Sequence, residues 1–384
     1  MIITNSKVLL RDASIGIVRK YLSRNSMLST GSKLLMLRLD SIGDYVLFRN
    51  FLKPIRESER FRDCRITLCG NIAWKDLAVY ADSAYVDEFI WIDTSRFLKK
   101  SHWTYTYGRL LELHSRGFDT LLEPGDVKTK SSDFLKRHSG ARKIIDNSPV
   151  SLRSYREKII ERMNPANSQI NGSHNGELRL SGHFQFYLNR KFAEELTGTP
   201  TGIDKLSYDI DHSGGRSEYI VLFPGAGYRS RMWSAGNFAD LCRQIRKRSR
   251  IKFYICGSSS DSAGKIIELS GVDKIEDLTS KTSLPQLFNL IARSSLLISN
   301  ETCAVHIAAS VNAKAICISN GNHFGRFNPY PAELAPQIVT LYPPALKNRI
   351  HDYKELLLEY AVTSDLDINE ISAADVCSEA LNLL

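Results

Sequence analysis

A chain of 384 residues is long for one α/β domain and comfortable for two, and a 43% hydrophobic content supplies two ordinary cores. A formal charge of +9 favours anionic partners (phosphates, acidic glycolipids, an anionic membrane face, nucleic acid), the alternative being a merely soluble basic protein. No run of eighteen apolar residues and no secretory-leader layout occur, and the seven scattered cysteines form no CxxC pair; a transmembrane helix, a disulfide framework and a zinc site are therefore not expected, and a reducing cytoplasm is.

Residues 1–30 form a separate basic segment. Val8, Leu9, Leu10, Ile15, Ile17, Val18, Tyr21 and Leu22 alternate with Lys7, Arg11, Arg19, Lys20 and Arg24. This pattern suits an amphipathic helix on a membrane surface, and equally a helix packed on the body. From Lys33 strands and helices alternate. Strands are predicted at Leu34–Leu37, Ile66–Leu68, Val86–Ile92, Asp119–Leu122 and Ala141–Ile145, with helices at Tyr45–Ser58 and Trp74–Tyr80. Residues 164–182 are rich in Asn, Ser and Gly and read as a loop, followed by a helix over His183–Leu196. Residues 201–216 read as a linker between a domain at 31–200 and another at 217–384.

The second half repeats the alternation. Strands are predicted at Tyr219–Phe223, Ile251–Cys256, Leu296–Ser299 and Ala315–Ile318, and helices at Phe238–Lys247, Leu284–Ala292, Ala304–Ser310 and Ala373–Leu384. Short apolar strands separated by helices predict an α/β fold of two doubly wound, Rossmann-like domains, with ligands at the carboxyl ends of the strands and a cleft between the domains.

Four post-strand loops carry the chemistry. Arg38-Leu39-Asp40-Ser41-Ile42-Gly43-Asp44 opens a helix, and its last carboxylate can serve as a general base or simply as a helix cap. Phe223-Pro224-Gly225-Ala226-Gly227-Tyr228-Arg229-Ser230-Arg231 offers backbone N–H groups and two arginines to a phosphate, or is an ordinary turn with solvated arginines. Ser299-Asn300-Glu301-Thr302-Cys303 places amides at a helix start, with His306 one turn in. The fourth, Asn320 to Tyr330, brings His323 and Arg326 to a wall for a sugar or base. Asp261 is a candidate for ribose hydroxyls or a solvated loop carboxylate. The stretch from Gly257 to Lys265 is no Walker loop, having six residues between its glycines. No HExxH, GxSxG or nucleic-acid motif is present.

Taken together, LLMLRLDSIGD (34–44), PGAGYRSRMW (224–233), LIARSSLLISNETCAVHIAA (290–309) and NHFGRFNPYP (322–331) resemble glycosyltransferase family 9, the bacterial lipopolysaccharide heptosyltransferases and their polysaccharide-cluster branch. The resemblance implies a GT-B architecture and an inverting, metal-independent transfer of a sugar from a nucleotide diphosphate donor, ADP-heptose being one candidate, to a lipid-linked or polysaccharide acceptor. It implies an acceptor-binding N-terminal domain, a donor-binding C-terminal domain and no cofactor. Asp44 matches the general base, and Arg231 matches a basic residue that contacts the donor phosphates. The donor-side set is Gly225, Gly227, Arg229, Asp261, Thr282, Glu301, Thr302, Cys303 and His306. Arg38, Ser41, Gly43, His323 and Arg326 would line the acceptor side or the cleft wall. Three positions depart from the pattern: Arg231 stands for lysine, Glu301 for aspartate and Cys303 for glycine. A nucleotide- or glycan-binding subunit without catalysis is the alternative. No nucleic acid is expected as partner, and for residues 7–24 a peripheral contact with the anionic inner leaflet is one expectation, packing on the body being the other.

Overall fold

The structure, a computed structural model, describes residues 32–127, 129–147, 183–210, 215, 217–258 and 262–384. The segment 1–30, the loop 164–182 and Asp261 lie outside the described residues. The chain divides into two units: Met1–Ser41, Phe51–Leu152 and Phe192–Pro200 form the first, and Ile42–Asn50, Arg153–Lys191 and Thr201–Leu384 the second.

The first unit is built on five parallel strands: β1 (Lys33–Arg38), β2 (Arg65–Asn71), β3 (Glu88–Ile92), β4 (Thr120–Glu123) and β5 (Lys143–Asp146), in the order β3-β2-β1-β4-β5. Strand β1 (KLLMLR) is apolar on both faces because helices cover both. Leu35 and Leu37 point into the core that holds Leu110, Leu113, Phe134 and Leu135. Leu34 and Met36 are buried on the opposite face. Chain order reverses between β1 and β4, so the loops after these strands flank the switch point. After β1, Arg38 Nη2 pairs with Asp40 at 2.6 Å, while Trp74 Nε1 and Asn71 Nδ2 donate to the Asp40 carbonyl at 3.2 and 3.1 Å.

The helices of this half of the chain are α1 (Ile42–Phe48), α2 (Leu52–Glu57), α3 (Lys75–Ala81), α4 (Trp103–Arg116) and α5 (Lys130–His138). The single helix predicted over 45–58 is two, with a 3-10 turn at Arg49–Phe51. Pro54 lacks the N–H that would continue the ladder, so it sits in the first turn of a new helix. Helix α4 has no counterpart among the predicted elements. Its inward stripe is only Thr106, Leu110 and Leu113, diluted by outward aromatic and basic residues, and Gly117 ends it at φ 60°.

The second unit holds six parallel strands: β6 (Tyr219–Phe223), β7 (Lys252–Ile255), β8 (Ile275–Asp277), β9 (Leu296–Asn300), β10 (Ala315–Ile318) and β11 (Ile338–Leu341), in the order β11-β10-β9-β6-β7-β8. Its helices are α6 (Gln185–Thr197, shared in sequence with the first unit), α7 (Ala235–Arg246), α8 (Ala263–Ser270), α9 (Leu284–Arg293), α10 (Cys303–Ser310), α11 (Pro344–Lys347), α12 (Tyr353–Tyr360) and α13 (Ala373–Leu383). Starts are set by side-chain caps: Ser234 for α7, a Ser283–Gln286 capping box for α9, Thr302 for α10 and Ser372 for α13. Ile220, Leu222, Ile298 and Ile318 face the α7–α8–α13 layer in one core. Helix α10 is buried from Ala304 to Ser310, so it is apolar on nearly every side, as a central helix must be. Residues 201–210 have no regular structure but are tied down: Ser207 accepts from Arg49 and Asn50, and the Tyr208 ring lies 4.2 Å from that of Phe288. The switch point of this sheet falls between β6 and β9.

Candidate functional site

The two loops at that switch point are bolted together by the last residue of β9. Asn300 Nδ2 donates to the Pro224 carbonyl at 2.6 Å, and Asn300 Oδ1 accepts from the Trp233 amide at 3.2 Å. Trp233 is itself buried, with its indole N–H donating to Ile371 O at 2.9 Å. Asn320, just after β10, donates to Ser230 O at 3.2 Å. Gly225 is thereby buried, whereas Gly227 and Arg229 stand exposed on the loop crest.

Held this way, Arg231 meets Glu301. Arg231 Nη2 donates to the Glu301 carbonyl at 2.5 Å and to Oε1 at 3.2 Å. The other carboxylate oxygen, Oε2, accepts from Ser319 Oγ at 2.5 Å. Glu301 is 3% exposed. Burial pushes its carboxyl up, against the opposite pull of Arg231 and Ser319. Thr302 caps α10 by accepting from Ala304 N and lies 3.1 Å from Ser299 Oγ. Cys303 begins the helix, half-buried.

One turn along α10, His306 Nδ1 and Tyr330 Oη are 2.5 Å apart. Burial first, and Arg231 second, lower the imidazole to about 3, so the ring is neutral at physiological pH. Helix α1 packs on α10 at this point. A Cβ on Gly43 would stand 2.7 Å from His306 Cδ2 and 3.6 Å from the Cys303 Cα, so only glycine permits this approach. Asp44, the next residue, is a half-buried first-turn carboxylate of the same helix. Asn189 Nδ2 anchors α1 by donating to Leu47 O at 3.0 Å. Gly43→Ala is expected to destabilise the fold by about 1–3 kcal/mol through this overpacking. Urea unfolding of the variant checks it, and a midpoint equal to that of the parent would contradict the packing.

His323 and Arg326 reach the same cluster through Phe327, whose ring centroid lies 5.8 Å from that of His306, 5.7 Å from that of His323 and 4.8 Å from the Arg326 guanidinium carbon. His323 holds φ 55°, and its ring is lowered to about 4 by burial and by Arg326 and Arg231. Arg326 is buried, with Nε donating to Gln185 Oε1 at 2.8 Å. The structure thus gathers Gly43, Asp44, Arg231, Glu301, Thr302, Cys303, His306, His323 and Arg326 in the second unit. Thr282 only precedes the cap of α9, and Arg38 and Ser41 belong to the first unit. Sequence reasoning did not single out Ser319, Gln185 or the tying role of Asn300. Tyr330 was quoted in its loop without a role. The one local signal is a polar residue where an apolar strand ends, Asn300 as the last residue of β9 and Ser319 directly after β10.

Among the described residues, no three His, Cys, Asp or Glu side chains converge as a metal-binding group, and no helix is long and apolar enough to cross a membrane. Residues 188–348 match the family described as glycosyltransferase family 9 (heptosyltransferase). The chain is similar to lipopolysaccharide heptosyltransferase 3 of Escherichia coli K12, 26% identical over 159 residues, which are 39% of this chain and 44% of that protein; the match spans less than half of that relative's length. In fold it is similar to the glycosyl transferase family 9 protein of Veillonella parvula (TM-score 0.61, 18% identity, 93% of this chain and 98% of that one). It is similar in the same way to E. coli heptosyltransferase WaaC solved with ADP (TM-score 0.61, 13% identity, 92% and 100%). Identities this low establish a common fold, that of the GT-B glycosyltransferases.

Proposed function

We propose that the chain is a member of glycosyltransferase family 9 and transfers a sugar from a nucleotide diphosphate donor to a surface-glycan acceptor of the lipopolysaccharide type. The observation that carries this reading is the convergence, in one unit, of the Asp44 helix on the helix start that follows the Arg231–Glu301 pair. In the proposed reaction, Asp44 takes the proton of an acceptor hydroxyl as its oxygen attacks the anomeric carbon from the side opposite the diphosphate, inverting that centre. The bond to the leaving diphosphate oxygen breaks, and its growing charge is met by Arg231 and by the amide N–H groups at the start of α10. These groups supply charge stabilisation without calling on a metal. ADP-heptose is the first donor to test, because a heptosyltransferase of this fold, E. coli WaaC, was solved with ADP. The +9 charge supports a seat on the anionic inner leaflet, where such an acceptor would be presented.

The test is a panel of nucleotide sugars screened by thermal unfolding and by nucleotide release in the presence of a lipopolysaccharide core acceptor. One donor is expected to raise the melting temperature, since a ligand at a hundred times its Kd adds about 2.7 kcal/mol to a fold it binds selectively. The same donor is expected to release its nucleoside diphosphate only with acceptor present. A panel with neither effect would remove the transfer reading.

A further inference from the structure

The donors of Arg231 are divided between two jobs. Nη2 is committed to Glu301, at the carbonyl (2.5 Å) and at Oε1 (3.2 Å), while neither Nε, which is buried, nor Nη1 has a hydrogen-bond partner among the described residues. The guanidinium is planar, so fixing one nitrogen at two points fixes the direction of the others. Glu301 in turn is held from behind. Ser319 Oγ donates to its Oε2 at 2.5 Å and accepts from Gly321 N at 3.0 Å, and both residues are buried. A carboxylate with both oxygens engaged and 3% exposure is not presented to a ligand. Its position behind the arginine leaves it one use, orientation.

We propose that Glu301 and Ser319 are positioning residues: a buried strut that locks Arg231 by Nη2 and thereby aims its Nη1 at an oxygen of a diphosphate. The proposal rests on the donor reading above for the identity of the ligand. It rests on the geometry alone for the roles of Glu301 and Ser319.

Two physical effects compete here and have opposite signs. If Glu301 were only a negative charge near an anion site, Glu301→Gln would tighten diphosphate binding by removing repulsion. If it is a strut, the same change frees the guanidinium to swing and weakens binding. Calorimetric titration of the full chain with ADP separates them. Glu301→Gln and Ser319→Ala are each expected to weaken ADP binding about tenfold. In an Arg231→Ala background neither is expected to weaken it further, because the residue they aim is gone. Ser319→Ala removes a hydroxyl and no charge, so it carries the test if Glu301→Gln does not fold. Unchanged or tighter ADP binding in the folded variants overturns the strut, as do losses that simply add to that of Arg231→Ala. A parent chain that binds no ADP, UDP or GDP overturns the donor reading itself, and the strut with it, a result distinct from binding that the variants leave untouched.

Discussion

Asp44→Asn is expected to cut transfer roughly a hundredfold or more while leaving the protein folded. The substitution is nearly isosteric and removes the negative charge and with it the capacity to accept a proton. Asp44 lies in the first turn of α1 and is half-buried, so part of its charge is also stabilised by the helix dipole. That structural share is about 0.3–1 kcal/mol, which would shift unfolding by a few degrees at most. The two roles are therefore separable by size. A carboxylate that merely serves the helix leaves near-normal turnover with slightly lower stability. A base leaves near-normal stability with turnover almost gone. Initial rates and urea unfolding on the same preparation decide the matter, and retention of more than a tenth of parent turnover rules out Asp44 as the base.

Stability is expected to fall steeply on mild acidification, because the second unit stores two histidines in neutral form. His306 is lowered to about 3 and His323 to about 4, mainly by burial. Around them lie Arg231, Arg326, Tyr330 and the Ala361 carbonyl, and only the last favours the protonated ring. The sign follows from proton counting. Above about pH 6.5 both states carry neutral rings and neither histidine affects stability. Below it the unfolded chain takes up protons that the folded chain refuses, so stability drops by up to about 1.4 kcal/mol per pH unit for each ring. The loss continues until the folded values are reached. Glu301 works in the opposite sense, since its raised carboxyl binds a proton more readily in the folded state, but one carboxyl does not offset two rings. His323 is only part-buried and contributes less than His306. Urea unfolding between pH 7.5 and 4.5 should show the decline, and His323→Gln should make it shallower. A flat profile over that range would mean that both rings accept a proton within the fold.

Much of this architecture can be read along the chain. The strands at Tyr219–Phe223 and Ala315–Ile318 match residue for residue, because fully buried parallel strands are short, uninterrupted apolar runs bounded by glycine and polar turns. Strands β8 and β11 escape detection: three and four residues carry too little pattern. Helices α4, α5, α8 and α12 escape detection because charged residues interrupt their apolar stripes. The site divides the same way. Loops after strands announce themselves by Gly, Arg and carboxylate. Contacts such as Arg326 with Gln185, 141 positions apart, have no local signature. Two of the three departures from the family pattern, Arg231 and Glu301, are a single ion pair, a fact invisible at either position alone.

The grouping of Ile42–Asn50 with the second unit bears on how the protein can be dissected. A fragment cut at the 201–216 stretch would carry the whole six-stranded sheet yet lack both α1, whose Gly43 covers His306, and α6, whose Asn189 anchors α1 through the Leu47 carbonyl. Such a fragment would turn the apolar flank of α10 toward water. The later half is thus not an independent module: the nine residues Ile42–Asn50 that complete it are synthesised well before the rest and must wait for their partner to emerge.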